Sequence, residues 1–406
     1  MPPNKKIGTA MDIITENPII LVLIGWAAAL GVAKALRLDR YGLEIKPYSM
    51  VYRNGGVYSV LQRILSRTRR GIRVFADTSV VSGFLMMGFA FWFLASNAAN
   101  FFVAETEFSE LTILIPGVTL TSGPAIAYFL LSIPVVLVIH EGAHGIVAAL
   151  ERIRIKTGGF AVFVALFAGF VEPDEEEFNK AKRISRLRVI GAGATSNVLF
   201  AMVLGAILLT NPLFAIVLPE PLLGAFYEEP AGVTVLGIIP GSGAEEAGLQ
   251  PGDIITEVDG TPIRGAGLFP PLEPGSTVGV GALRDGGPVS FQVVVTESPD
   301  EPGRGLVGIT RDNTASYRPV LDFIQWDNHA VSMFLLWLWM ISFFIGIINM
   351  LPLPILDGGK FIHIIMDGRL PERTVNGIMW GIYAFTFVLF GMNIALSYVK
   401  SGWFTI

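Results

Sequence analysis

The sequence predicts a polytopic α-helical membrane protein of about six transmembrane helices. To these it adds a membrane-re-entrant β-hairpin and one small β-rich domain inserted between two membrane halves. Three observations carry the prediction. Apolar runs of about 20 residues, the length a bilayer core demands, recur near 18–36, 79–97, 124–149, 190–217, 331–355 and 376–398. Of the 406 residues, 52 % are hydrophobic and 16 % charged, far more apolar than a soluble domain. Between about 218 and 326 glycine, proline and acidic residues take over. The chain has no cysteine, which excludes disulfides and leaves only histidine and carboxylate side chains to hold a transition metal. The net charge of −5 is mild, and no nucleic-acid partner is expected.

The first run, 18–36, follows Lys5 and Lys6 but is long and lacks a small-residue cleavage pattern, so it reads as a span and not a signal peptide. The loop 37–78 is rich in arginine, including Arg63, Arg67, Arg69, Arg70 and Arg73. It should therefore be cytoplasmic and lie against anionic lipid headgroups. Alternation puts 98–123 outside, where Glu105, Glu107 and Glu110 occur without Lys or Arg, and returns 150–189, with eight basic residues from Arg152 to Arg188, to the inside. The acidic stretch 218–326 then falls outside, and the short connection holding Lys360, Arg369 and Arg373 falls inside.

Four segments result. Residues 1–123 hold two accessory spans and the arginine-rich loop, and 124–217 form one membrane half. An extracytoplasmic β-rich domain with its linkers fills 218–326 (core 228–312), and 327–406 form the second membrane half. Residues 156–172 are apolar but too short to span, and they are bounded by Gly158, Gly159 and Pro173. Their β-branched and aromatic content predicts a hairpin in the membrane, tolerable where protein or a wet cavity satisfies its backbone.

Within the third run stands Ile139-His140-Glu141-Gly142-Ala143-His144. Residues i and i+4 share a helix face, so His140 and His144 can grip one Zn²⁺ while Glu141 handles a proton beside it. Ionisable groups inside a membrane are costly and imply a functional partner. Catalytic zinc takes three protein ligands, so a third is needed. Asp357, in Asn349-Met350-Leu351-Pro352-Leu353-Pro354-Ile355-Leu356-Asp357-Gly358-Gly359, is the carboxylate lipid should exclude. The prolines break the helix there and the glycines permit close approach. Topology puts His140 and Asp357 near the cytoplasmic ends of their spans. His329, beside Trp326 and Asp327, and His363 read as structural.

In the inserted domain, Val235-Leu236-Gly237-Ile238-Ile239-Pro240-Gly241-Ser242-Gly243-Ala244-Glu245-Glu246-Ala247-Gly248-Leu249, continued by Pro251-Gly252-Asp253-Ile254-Ile255, resembles a PDZ domain. That family captures extended peptides by β-augmentation. The order HEGAH, PDZ-like insert, NMLPLPILDGG resembles the site-2 protease family of intramembrane zinc metalloproteases over about 124–370. The resemblance implies zinc ligands His140, His144 and Asp357, with Glu141 as general base. It also implies that Asn349 bonds the substrate backbone or the developing oxyanion. The family's Gly-Pro-x-x-Asn pattern reads Gly193-Ala194-Thr195-Ser196-Asn197 here, with alanine in place of proline. Asn197 is thus a candidate for lining the site, and packing by its small neighbours is an equal reading.

The implied activity is cleavage of transmembrane segments of single-span membrane proteins by zinc-activated water. The implied partners are that substrate, membrane lipid and a peptide at the PDZ-like domain. Two alternatives stand beside it: a membrane-anchored zinc protease acting on juxtamembrane or soluble segments, and a non-catalytic PDZ membrane adaptor.

Overall fold

A computed structural model describes residues 18–103, 108–164, 166–228, 232–263, 269–284, 286–298, 303–315, 317–324, 326 and 328–401. The chain divides into two compact units, one formed by Met1–Val203 with Met333–Ile406 and the other by Leu204–Ser332.

In the first unit, α1 (Pro18–Ala35) leads into a hairpin of β1 (Leu43–Lys46) and β2 (Ser49–Asn54). Helix α2 then runs from Val57 to Val103, bent at Thr68 where φ is −127° and ψ 18°. Helix α3 (Gly123–Leu150) starts at Ser122 with proline in its first turn, where the missing N–H costs nothing. Strands β3 (Ile155–Phe163) and β4 (Leu166–Pro173) follow, then α4 (Arg183–Leu208).

In the second unit β5 (Val233–Ile238), β6 (Ile254–Val258), β7 (Thr261–Pro262), β8 (Thr277–Arg284), β9 (Gly287–Val294) and β10 (Ile309–Ala315) form one antiparallel sheet. Its order is β10-β5-β6-β8-β9, with β7 paired to β6. The chain closes with α5 (His329–Asn349), α6 (Asp357–Met366) and α7 (Glu372–Ser401).

Helices α2, α3, α4, α5 and α7 are long and apolar enough to cross a membrane. The first expected span, 18–36, corresponds to α1, within which Val22–Ala35 is a further apolar helix. Span four ends at Leu208 instead of 217, because Asn211 caps a 3₁₀ turn begun by Pro212 and its side chain accepts from the Leu213 amide at 2.9 Å. The second unit begins at Leu204, inside the last turn of α4. Its lower end is tied by the buried Tyr227, whose hydroxyl donates to the Asn211 carbonyl at 2.8 Å.

The expected loop 37–78 is corrected more deeply. Its first part is the β1–β2 hairpin, and β2 pairs with β3 to make a four-stranded sheet β1-β2-β3-β4. From Val57 onward it is helix. The hairpin is therefore half of a larger sheet, with more of its backbone polar groups satisfied internally. Nor is α2 peripheral. Gly83 lies so close to α6 that an added Cβ would stand 3.2 Å from both Met350 Cε and the Phe361 ring. Met86, Met87, Leu187, Ile190, Ala194, Met350 and Phe361 share one buried cluster.

Several arginines read from sequence as topology markers are clamps. Arg186 bonds Asp367 at 2.6 Å, Arg188 bonds Glu151 at 3.1 Å and also reaches Asp77, and Arg183 Nε donates to the Ile364 carbonyl at 3.1 Å. They hold the start of α4 against the ends of α3 and α6. The Arg186 guanidinium keeps the Asp367 carboxyl below its usual range.

The sheet of the second unit buries Val233, Val235, Ile255, Val258, Val280 and Val293 on one face, the alternation expected of a half-buried antiparallel sheet. Just before β6, Asp253 is 1 % exposed. The Arg284 guanidinium donates to both its oxygens at 2.7 Å, which holds the carboxyl below its ordinary range. A depressed folded value contributes stability above the unfolded value of about 3.9 and loses it as pH falls through the folded one. Arg284→Gln should therefore destabilise the sheet by about 1–3 kcal/mol at neutral pH, and the penalty should shrink below about pH 4. Hydrogen exchange of the sheet amides in the intact protein, followed against pH, checks both.

Candidate metal centre

The centre is assembled from three helices and an unwound stretch. On α3 the i, i+4 spacing puts both imidazoles on one face, with ring centroids 4.8 Å apart. The third group arrives because α5 stops at Asn349. Pro352 and Pro354 cannot continue a helix, and the chain resumes as α6 at Asp357. Gly358 is required at this return, since an added Cβ would fall on the Met350 carbonyl.

The result is a compact triangle. His140 Nε2 lies 3.1 Å and His144 Nε2 3.0 Å from Asp357 Oδ2, and the two Nε2 atoms are 3.1 Å apart. A tetrahedral zinc with bonds of 2.0–2.1 Å spaces its ligand atoms by about 3.3 Å, so this donor set fits the ion. His140 and Asp357 are each 6 % exposed. Among the described residues this is the one group of three or more His, Asp or Glu side chains gathered closely enough to hold a metal.

Neighbouring groups orient the imidazoles, as a metal-binding histidine would need. His144 Nδ1 donates to the Val189 carbonyl at 2.7 Å, leaving the Nε2 lone pair free. His140 Nδ1 lies 3.1 Å from Asn197 Nδ2. Helix α4 comes this close because residue 193 is glycine: a Cβ there would stand 2.6 Å from His140 Nε2 and nearer still to His144 Nε2.

Glu141, the residue after His140 on α3, reaches toward β4. Its Oε2 accepts from the Val171 amide of β4 at 3.1 Å, and Gly169 leaves room for it, since a Cβ there would be 2.9 Å from Glu141 Cγ. Glu141 borders an apolar cavity of about 490 Å³, lined by Leu137, Val138, Phe160, Phe167, Phe170 and the glycines of β3 and β4. A proton-accepting group thus faces a space that an apolar chain can enter.

The structure brings together His140, His144, Asp357 and, behind them, Asn197. Asn349 ends α5, half-buried, and its side chain makes none of the hydrogen bonds that join the cluster. His329 lines a separate cavity with Trp326, and His363 closes α6. Sequence reasoning missed the Val189 carbonyl and the Val171 amide, because backbone groups carry no residue signature. It placed Gly193 in a motif with Asn197 and gave packing by small neighbours as an equal reading for Asn197; the missing side chain at 193 is what admits the imidazoles.

Membrane-sized helices around a buried His–His–Asp centre, with a glutamate beside it, define a membrane metalloprotease. A family model described as Peptidase family M50 matches residues 128–390, and the chain belongs to that family, whose metal is zinc. An uncharacterized protein of Methanocaldococcus jannaschii is 25 % identical over 86 % of this chain and 85 % of its own. The probable membrane metalloprotease ARASP2, chloroplastic, of Arabidopsis thaliana is 24 % identical over 60 % of this chain and 73 % of its own. The membrane-bound transcription factor site-2 protease homolog of the same plant is 30 % identical over 35 % of this chain and 26 % of its own.

Proposed function

We propose that this zinc metalloprotease cuts within the bilayer, cleaving transmembrane segments of single-span membrane proteins in regulated intramembrane proteolysis. His140, His144 and Asp357 hold the metal and Glu141 is the general base. The observation that carries this reading is the triangle of ligand atoms, 3.0–3.1 Å on a side, buried between helices of membrane-spanning length.

When bound, zinc lowers the pKa of its water toward about 7 and polarises the scissile carbonyl. The rest falls to the chain. Glu141 takes a proton from the attacking water and returns it to the leaving amine. Asn349 is assigned to the developing oxyanion on the resemblance of its motif. A substrate helix exposes no free carbonyl while its i→i−4 bonds stand, so it must unwind. The apolar cavity beside Glu141, floored by β3 and β4, offers the unwound segment an apolar place.

The charge pattern supports an active site toward the cytoplasmic face and a PDZ-like domain on the opposite side of a cell membrane. The sheet of that domain ends in β10, an edge of the kind to which extended peptides add.

Asp357→Asn tests the assignment, because it removes the charge and keeps the shape. In detergent-purified protein its zinc affinity should fall beyond the roughly 10–100-fold typical of groups one shell out. Cleavage of a reconstituted single-span substrate should be lost with it. Intact zinc content and activity would exclude Asp357 as the ligand. A wild type that cuts the same sequence only as a soluble peptide would favour the membrane-anchored alternative.

A further inference from the structure

Asn197 is fully buried, and its position raises a question of protons. The amide Nδ2 lies 3.1 Å from His140 Nδ1, while Oδ1 is buried with no hydrogen-bond partner. The backbone is fixed independently, because the Asn197 carbonyl accepts from Ser342 Oγ at 2.9 Å. Only the amide plane is free to choose.

A neutral imidazole carries one proton, and the nitrogen that binds a metal must be the other one. At His144 the choice is made by Val189, since a backbone carbonyl can only accept. His140 faces a side-chain amide, which can either donate or accept. With Nδ2 toward Nδ1 the amide donates and the imidazole proton falls on Nε2, which faces Asp357 Oδ2 at 3.1 Å; with Oδ1 toward Nδ1 the amide accepts and the Nε2 lone pair is free.

We propose that Asn197 is the positioning residue that sets the tautomer of His140: with its amide turned so that Oδ1 accepts from Nδ1–H, Nε2 is free for the metal. Oδ1 and Nδ2 occupy nearly the same volume, so the turn needs no repacking. One end of the amide is unpartnered in either orientation, and what decides between them is the imidazole proton. Gly193, one helical turn earlier on the same face, admits α4 to this distance. The inference rests on His140 being a zinc ligand, as proposed above.

The test uses full-length protein in lipid nanodiscs, with zinc affinity measured by competition with a chromophoric chelator and the melting of the metal-free form recorded alongside. Asn197→Leu, similar in size but unable to accept, should bind zinc about 10–100-fold more weakly. Asn197→Asp, an acceptor only, should bind at least as tightly as wild type. A role in packing alone predicts that Asn197→Leu lowers metal-free melting and leaves zinc affinity unchanged, and that outcome overturns the proposal. Should Asn197→Leu not fold, Asn197→Asp decides: weaker zinc binding in a normally melting Asn197→Asp also overturns it. A wild type that binds no zinc removes the metal reading itself, a failure distinct from equal binding by wild type and Asn197→Leu.

Discussion

Glu141→Gln is expected to keep its zinc and lose hydrolysis by about 10²–10⁴-fold, the usual contribution of a positioned general base. The separation of binding from chemistry follows from geometry. The three proposed ligand atoms come from His140, His144 and Asp357. Glu141 stands off the triangle, with its Oε2 on the Val171 amide, so the neutral amide of glutamine leaves the metal donors untouched. The Val171 N–H can still be accepted by the glutamine carbonyl, so the link from α3 to β4 survives. What disappears is the proton acceptor facing the cavity. Metal analysis of the purified variant and cleavage of a single-span substrate in the same vesicles measure the two halves. Comparing the membrane proteomes of cells carrying wild type and variant should show uncut single-span proteins accumulating. Normal cleavage by Glu141→Gln would remove Glu141 from the mechanism.

The parts of this molecule legible in sequence are those with a periodic or chemical signature. The i, i+4 histidines announced their shared face, and the prolines before Asp357 announced the break between α5 and α6. Residues 156–172 announced a hairpin through β-branched and aromatic content bounded by glycine. What stayed hidden depended on partners far away in the chain. The strand Ser49–Asn54 lies within a charged stretch and is recognisable only through its pairing with Ile155–Phe163. Likewise, the arginine-rich loop after the first span looked like unstructured topology signal, yet from Val57 it is helix. In the same way Arg186 and Arg188 have the composition of a cytoplasmic loop, and only the fold supplies Asp367, Glu151 and Asp77 as their partners.

Gly193→Ala should disable the metal centre by adding a single methyl. An added Cβ would stand 2.6 Å from His140 Nε2 and closer still to His144 Nε2, against the two nitrogens that face Asp357. Nothing on that side is a flexible side-chain end. His144 is fixed by Val189 and His140 by its place on α3 and its contact with Asn197, so either α4 retreats or the imidazoles swing away. Overpacking of this kind costs about 1–3 kcal/mol, which at about 1.4 kcal/mol per decade lowers zinc affinity by about 10–100-fold. Gly142→Ala is the control. It lies between the histidines on the same helix, yet its added Cβ meets nothing within 4 Å, and alanine is favoured over glycine in a helix. Chelator competition should therefore find zinc binding weakened in Gly193→Ala and unchanged in Gly142→Ala. Equal affinity in the two variants would mean that α4 yields without cost, and the close approach of Gly193 would then have no bearing on the metal.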